Sequence, residues 1–488
     1  MSIFEKLQPL LAEGAMVYDA SYEVLDAGEL LLICTDGKDL LAVDGTLTEA
    51  FSGEDRCGVR LCPCTHENRL ALNQLLPYTA PTAFGRESAT FGFGDRLGFA
   101  NPAQVRAVRD TYVRPVLAQQ SLRELTLIGR DLPAVIDVAA WAVFREGYRR
   151  GYACDGDHLK TLEEVLHAVE TGCSMVTLDC SLVLQEQRRP PEEWERLYAA
   201  LPEEVRAEDT LFYLENARAR ELGLHFTPAV LGQLHAVYDG VAELGQCVYE
   251  NAILTADHPI DLEISLDETA ETTSPEAHYY VADRLERAGV FVTSIAPKFV
   301  GEFQKAIDYI GDPDALRQAV ELHAAVANCL GHKLSLHSGS EKFTAMPILA
   351  EATGGRYHIK TSGTSWLEAV ETISKHAPAL YRRMHLAALE GIEEAKQHYE
   401  VHCDLRNVPP LDAVEDARLP EYLTQNDSRQ LMHITYGHIL SKPELKADIF
   451  RFLTENRALY EAEAEELYQR HLNALGVYSA KAEERRPA

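Results

Sequence analysis

No stretch of this 488-residue sequence stays apolar for the roughly 20 residues that a membrane span needs, so a membrane partner is not expected. Basic residues are scarce: 46 Lys and Arg stand against 76 Asp and Glu, a formal charge of −30. Nucleic acid and anionic lipid both require a cationic footprint, and neither fits this balance. A local group of Arg and Lys can still hold a small anion. Low-complexity tracts and internal repeats are also missing, which argues for a folded globular chain rather than a disordered one or a solenoid. The ten cysteines are scattered along the chain, as suits a reducing cytoplasm better than a disulfide framework. Their one cluster, Cys57, Cys62 and Cys64, lacks a fourth ligand at zinc spacing except for the loosely placed His66, and reads as ordinary thiols. The opening residues, MSIFEKLQPLLAEG, carry acids where an export signal has a basic stretch, so a cytoplasmic location is expected.

What is there divides by pattern. Residues 1–85 alternate apolar and polar side chains around Asp36-Gly37 and Asp44-Gly45, which predicts a small β-containing domain with hairpins. Residues 86–377 change to short apolar runs separated by amphipathic helices. Strands are predicted at 89–94, 123–128, 152–158, 174–179, 260–266, 291–296, 333–337 and 356–361, with helices such as 102–119, 133–150, 161–172, 275–288, 313–330 and 365–376 between them. Asn101-Pro102, Ser274-Pro275 and Asp312-Pro313 each look like a cap followed by a first-turn proline. Strict alternation of eight strands with helices predicts an α/β fold, a (β/α)8 TIM-type barrel, over its rival, an open doubly wound sheet. Helical periodicity over 190–257 predicts an insertion between strands 4 and 5, a cover on the catalytic face. Residues 378–488 read as an acidic helical extension around the apolar segment 431–437, with a surface that could serve a homo-oligomer.

In such a barrel, chemistry sits at the carboxyl ends of strands. Those ends carry Asp95 and Arg96, then Asp157, His158 and Lys160, then Asp179, Glu263 with Asp267 and Glu268, Lys298, His337-Ser338-Gly339-Ser340 with Lys342, and His358 with Lys360. Three strands also keep a polar inner face: Asp261, Glu263 and Ser265; Lys333, Ser335 and His337; His358 and Lys360. A buried parallel strand should be apolar on both faces, so these groups must bind one another, a metal or a substrate.

The run Asp155-Gly-Asp157-His158-Leu-Lys160 is the densest of these. His158, His337 and His358, from three strands, suit one divalent cation, with Zn, Mn, Co and Ni all compatible. Asp157 reads as a general base, provided the chain turns so that it faces the same way as its neighbour His158. Glu263 reads as the second carboxylate, either as the opposing acid or as a further metal ligand, with Glu268 and Asp267 behind it, while Asp155 reads as structural. The Ser- and Gly-rich strand ends, with Asp95, Arg96, Lys160, Lys298, Ser338, Ser340 and Lys360, would bind an acidic sugar. His433 and the helical His323, His332 and His385 read as structural or surface residues. A nicotinamide fingerprint is argued against because Gly92-Phe-Gly94-x-x-x-Gly98 departs from GxGxxG.

Six segments together resemble the tagaturonate epimerase family: GDRLG (94–98), DGDHLKT (155–161), SPEAHYYVADRL (274–285), IAPKFVGEFQKAIDYIGD (295–312), KLSLHSGSEKF (333–343) and HIKTSGTSWLEA (358–369). The Asp-His pair and LHSGS resemble the class II metal-dependent aldolases more faintly. The first resemblance implies a metal-dependent barrel that interconverts tagaturonate and fructuronate in hexuronate catabolism, with Asp157 and Glu263 moving protons and the three histidines on the metal. An aldolase or isomerase acting on another sugar acid or ketose would use the same site. The whole reading requires those residues to converge.

Overall fold

A computed structural model describes residues 2–184, 187–399 and 401–478; the last ten residues of the C-terminal extension lie outside them. The Asp36-Gly37 turn places both central residues at positive φ (50° and 72°), the geometry that matches strand twist in a two-residue hairpin. It joins β3 (Gly28–Thr35) to β4 (Lys38–Val43) in a six-stranded antiparallel sheet with β1 (Met16–Val17), β2 (Glu23–Leu25), β5 (Glu54–Arg56) and β6 (Val59–Pro63). Asp44-Gly45 makes no second hairpin: the Asp44 carboxylate accepts from the Gly45 N–H at 2.7 Å and starts a 3-10 turn. The sheet's period-two pattern serves two packing faces. Leu30, Leu32, Leu41 and Val43 meet Trp141 and Phe144 of the barrel helix Leu132–Arg145, while Leu31, Ile33 and Ala42 meet Ile3, Leu7 and Leu10 of the first helix.

Eight parallel strands close a barrel: β7 (Thr90–Gly92), β8 (Arg114–Ser121), β9 (Ala153–Leu159), β10 (Met175–Asp179), β11 (Asp261–Leu266), β12 (Ser294–Pro297), β13 (Lys333–Leu336) and β14 (Tyr357–Lys360), which pairs back onto β7. The second strand is not where the sequence pattern placed it. The expected strand 123–128 is a helix, Leu122–Ile128, and the expected helix 102–119 ends at Val108 so that its second half is β8. The helix is set by its ends: Ser121 caps the N–H of Glu124 at 3.3 Å, and Gly129 terminates it at φ 68°. Asn101 is not a cap either. It sits inside the first turn, and its amide donates to Gln104 and to the Leu117 carbonyl.

Four α-helices between β10 and β11, Pro191–Ala199, Glu203–Asp209, Ala217–Glu221 and Pro228–Val248, form the expected insertion. Beyond β14 the chain is helical, and its last described helix, Arg457–Ala474, lies against helices Asn101–Val108 and Thr364–His376 of the same chain. Tyr460 Oη donates to the Ser365 carbonyl at 3.1 Å and Gln104 donates to Tyr468 Oη at 2.9 Å. Glu461 binds Arg145 and Arg457. That acidic helix is thus spent on its own barrel, and the expectation of an oligomer cannot rest on it. Among the described residues no helix is long and apolar enough to cross a membrane.

Barrel interiors are usually filled by branched apolar side chains. Here the inward positions carry Asp155, Asp157, Thr177, Asp261, Glu263, Ser265, Ser294, Lys333, Ser335, His358 and Lys360, all buried. The polar inner faces read from the sequence are therefore real features of the core, and their mutual bonding defines the site.

Candidate active site

The strand β9 delivers two acids and an imidazole to one place. Gly156, between the acids, faces the helical shell, where an added Cβ would come within 2.8 Å of Leu159 and 2.9 Å of Ala168. Asp155 and Asp157 therefore point inward. His158 adopts φ 55°, the left-handed region, at the strand end. That turn brings its ring to the side of Asp157, as the proton-transfer reading required: Nε2 lies 3.8 Å from Asp157 Oδ1, and Nδ1 3.6 Å from Asp179 Oδ2. Left-handed backbone at a non-glycine residue costs free energy and concentrates at functional sites.

Lys360 is the hub. Its buried ammonium lies 2.6 Å from Asp157 Oδ1, 2.7 Å from Asp155 Oδ2 and 3.3 Å from Glu263 Oε1, and it donates to the Thr177 hydroxyl. One cation shared by three carboxylates separates their behaviour. Burial favours the neutral acid, but Lys360 and His158 outweigh it at Asp157 and hold its pKa near about 2. At Asp155 burial wins over Lys360, reinforced by Asp157 and Glu263, and the pKa rises to about 6. Glu263 is buried too, yet Lys360 and the protonated His337 keep it well below the usual carboxylate range. Acids pushed apart in this way are the mark of proton-transfer chemistry. Asp155, which reads as structural in the sequence, is the one of these three carboxyls brought closest to neutral pH.

His337 sits between two acids, its Nε2 2.7 Å from Glu263 Oε1 and its Nδ1 3.1 Å from Asp267 Oδ1. Burial would lower its pKa; Asp267 and Glu263 more than reverse this and raise it to about 10, so it is an imidazolium. Its ring meets that of His158 edge-on at 5.1 Å between centroids. His358 differs. It lies two residues below Lys360 on β14, with Nδ1 2.8 Å from Thr90 Oγ1 and Nε2 buried without a partner among the described residues. Burial depresses its pKa to about 3, against the attraction of Glu263, so it is a neutral imidazole. Beside it, Lys333 bonds Thr90 Oγ1 at 3.1 Å, and burial lowers its pKa to about 8.

Of the residues expected to bind substrate, some face the opening and some do not. Lys160 lies 3.3 Å from Asp179 and 3.0 Å from Ser181 Oγ at the rim, and Ser338 accepts from Lys305 Nζ at 3.0 Å. Lys298 is turned to the Thr269 carbonyl, and Ser340 Oγ accepts from Thr364 Oγ1 at 2.9 Å. Asp95 accepts from the N–H groups of Leu97, Gly98 and Ala100 and shapes its own loop. Arg96 is locked against Glu124 at 2.5 Å, with its guanidinium 3.8 Å above the Tyr436 ring. Asp95 is occupied by the fold as a carboxylate that closes a turn, whereas Arg96, paired with Glu124 in the core, keeps an Nη1 without a partner among the described residues. Glu268 is exposed, which leaves Glu263 on β11 and Asp267 just after it as the carboxylates beside His337. Sequence reasoning missed Thr177, Ser294, which donates to Glu263 Oε2 at 2.6 Å, and Gln119. Thr177 is the one polar side chain in Met-Val-Thr-Leu before Asp179, a visible signal; Gln119 was hidden by the misplaced second strand. It needs Gly92, where a Cβ would fall 1.6 Å from its Oε1.

The model of one family, described as tagaturonate epimerase, matches residues 19–475. The tagaturonate/fructuronate epimerase of Thermotoga maritima is 36% identical over 482 residues, 95% of this chain and 97% of that protein. The chain belongs to the tagaturonate epimerase family. The native crystal structure of the fructuronate-tagaturonate epimerase from Cohnella laeviribosi superposes with a TM-score of 0.93 at 43% identity, covering 97% of this chain and 99% of that one. Its complex with one glycerol gives 0.92 with the same identity and coverage.

The resemblance to this epimerase family also implied a divalent metal. As the side chains stand, no three His, Cys, Asp or Glu among the described residues are grouped to hold one. The donor chemistry nevertheless suits such an ion. His358 presents a buried, unpartnered Nε2 while its Nδ1 is fixed by Thr90, the arrangement of a ligating imidazole. The neighbouring His158 nitrogens sit at 3.6 and 3.8 Å from their carboxylates, beyond hydrogen-bond length. His337 would have to release Glu263 to join them.

Proposed function

We propose that this chain interconverts D-tagaturonate and D-fructuronate, and that it does so with a divalent cation bound by His158, His337 and His358. The observation that carries the reading is the Lys360 hub, where three carboxylates and an imidazolium meet at the carboxyl ends of the strands in a chain of this family. When bound, the cation would supply Lewis-acid polarisation of the ketone.

The two ketouronates differ at the carbon β to the ketone, whose hydrogen the carbonyl does not acidify. Cleavage and re-formation of the bond between the α and β carbons avoids that problem. In this scheme Asp157, ionised and beside the opening, takes the proton of the β-carbon hydroxyl. The α–β bond breaks, its electron pair passes into an enediolate, and the β carbon becomes an aldehyde. Lys360 offsets the enediolate charge, with Asp155 and Glu263 holding its ammonium in place. The aldehyde turns its other face, the bond re-forms, and Asp157 returns the proton. Burial of the cluster excludes water, which would otherwise protonate the enediolate.

Turnover of tagaturonate with labelled three-carbon carrier present tests the scheme. Exchange of label into substrate is the expected result. A strictly retained carbon skeleton with reversible loss of hydride would overturn the cleavage mechanism, and absence of turnover on both ketouronates would overturn the substrate assignment.

A further inference from the structure

Cations gather at a second place, where the C-terminal extension meets the barrel. A cavity of about 220 Å³ opens there between three parts of the chain. These are the loop after β7, the turn joining helices Leu122–Ile128 and Leu132–Arg145, and the extension helices Tyr436–Ser441 and Pro443–Glu455. Arg96, Arg130 and Lys446 line the cavity, and among the described residues no Asp or Glu does. In a chain of net charge −30 that balance is unusual. The rest of the wall is apolar, built largely from Ile128, Val138, Leu440 and Phe450. No residue of the Lys360 hub takes part.

The three cations keep hydrogens to give. Arg130 donates to the carbonyls of Asp95, Arg96 and Ala134 at 2.8, 3.3 and 3.4 Å, which leaves its Nε and one hydrogen of Nη2. Lys446 donates to the Ile128 carbonyl at 2.7 Å, which leaves two ammonium hydrogens. All four bonds are to neutral carbonyls, which an amide side chain could make without bringing charge into the wall. Neither residue forms an ion pair among the described residues. Arg96 gives two of its nitrogens to Glu124 Oε1, and the third, Nη1, is buried with no partner among the described residues. Burial also lowers the pKa of Arg130, and the more distant Asp95 and Asp131 do not make up for it. A partly buried cation without a counter-ion costs free energy that an anion beside it recovers.

The walls narrow the class of anion. Inorganic phosphate carries polar oxygens on every side and would leave those against Ile128, Leu440 and Phe450 without a partner. A carboxylate on a compact apolar body sets its charge beside the cations and its carbons against the apolar wall. We propose that Arg130, Lys446 and Arg96 form a second binding site, for a small carboxylate of that kind, between the barrel and its C-terminal extension. The occupant ties the loop after β7 to the extension and stabilises the folded chain by linkage. The site is independent of the ketouronate reading above.

Benzoate is the probe, by calorimetric titration and thermal melts of the whole protein, with benzyl alcohol and inorganic phosphate as controls. Wild-type protein should bind benzoate in preference to both and melt at a higher temperature in its presence. Lys446→Met should weaken benzoate by about 10- to 100-fold. Val138→Phe, which fills the cavity and leaves the cations in place, should weaken it at least as much. Lys160→Met, at the catalytic rim, should leave benzoate affinity unchanged. No binding to wild type overturns the site, as does unchanged affinity in a folded Lys446→Met or Val138→Phe variant. Loss of binding in Lys160→Met would place benzoate in the catalytic mouth and overturn the site as well. Equal binding of benzyl alcohol overturns the role of charge, and tighter binding of phosphate overturns the ligand class.

Discussion

Two groups of histidines in this barrel differ in charge, one protonated and one neutral. On the axis, His337 lies between Glu263 and Asp267 and is an imidazolium, and Asp157 and Asp179 overcome burial to raise His158. In the helical shell, His278 bonds His323 through their Nδ1 atoms at 3.0 Å and His332 through their Nε2 atoms at 2.8 Å. Burial depresses all three, His323 to about 4 and His332 to about 3, and no carboxylate opposes it. His337 is buried like the shell histidines; the partners decide. Shell imidazoles satisfy one another, whereas the axial His337 and His158, unlike the neutral His358, hold protons that a reaction can use.

The comparison breaks most visibly at the hub. Lys360→Met leaves Asp155, Asp157 and Glu263 buried without their shared cation. Turnover should fall by more than about 1000-fold, and thermal melts should show a loss of several degrees. Substantial residual turnover would mean that the axial charge is structural like the shell's. His337→Gln against His278→Gln is the paired version. The first should lower kcat/KM by about 100- to 10,000-fold, and the second should cost about 1–3 kcal/mol of stability with activity per folded molecule unchanged. Equal activity losses would erase the distinction. Chelation followed by dialysis should abolish turnover and added divalent cation should restore it; full activity in rigorously metal-free protein would remove the three-histidine ligand set.

pH sharpens the contrast because the two groups lose stability in opposite directions. His323 and His332 have folded pKa values below the unfolded 6.5, so the unfolded chain binds more protons between those values. Their contribution is present above pH 6.5 and is lost on acidification, by roughly 3 kcal/mol for His323 as pH falls through 4. His337 has its folded value raised to about 10. Its contribution is full below 6.5 and disappears as pH rises through 10. Denaturant melts from pH 4 to 10 on His278→Gln and His337→Gln should flatten the acid limb in the first and the alkaline limb in the second. Identical profiles would show that neither cluster governs its limb.

How legible this was in the sequence follows the same division. Seven of the eight barrel strands, the insertion and the polar inner faces of β11, β13 and β14 could be read, because alternation along a strand is local. The second strand could not: Arg-Pro-Val-Leu-Ala-Gln-Gln-Ser at 114–121 carries no clean alternation, and the helix former Leu122–Ile128 beside it is short enough to pass for a strand. Asp157, His158, Glu263 and His337 were found because each ends its own strand or lies on its inner face. His323 and His332 were read as structural or surface residues and are structural, but their bonding to His278 could not be read, because the partners come from distant elements that no spacing rule connects. Lys360 could be named from its strand, but its role as a hub depends on three other strands.

Asp95 marks where strand-end logic overreaches, and it gives the smallest test. A charged residue at the end of β7 looks like a ligand for substrate. Yet its two oxygens already accept three backbone N–H groups, those of Leu97, Gly98 and Ala100, at 2.7–3.2 Å, and Arg130 braces the same loop through the Asp95 carbonyl at 2.8 Å. Asp95→Asn exchanges one acceptor oxygen for a donor that faces an N–H. The variant should lose about 1–2 kcal/mol of stability and keep its KM for ketouronate. A raised KM at unchanged stability would return Asp95 to the substrate and show that proximity to a strand end, rather than an unspent hydrogen-bonding group, is what marks a functional residue in this barrel.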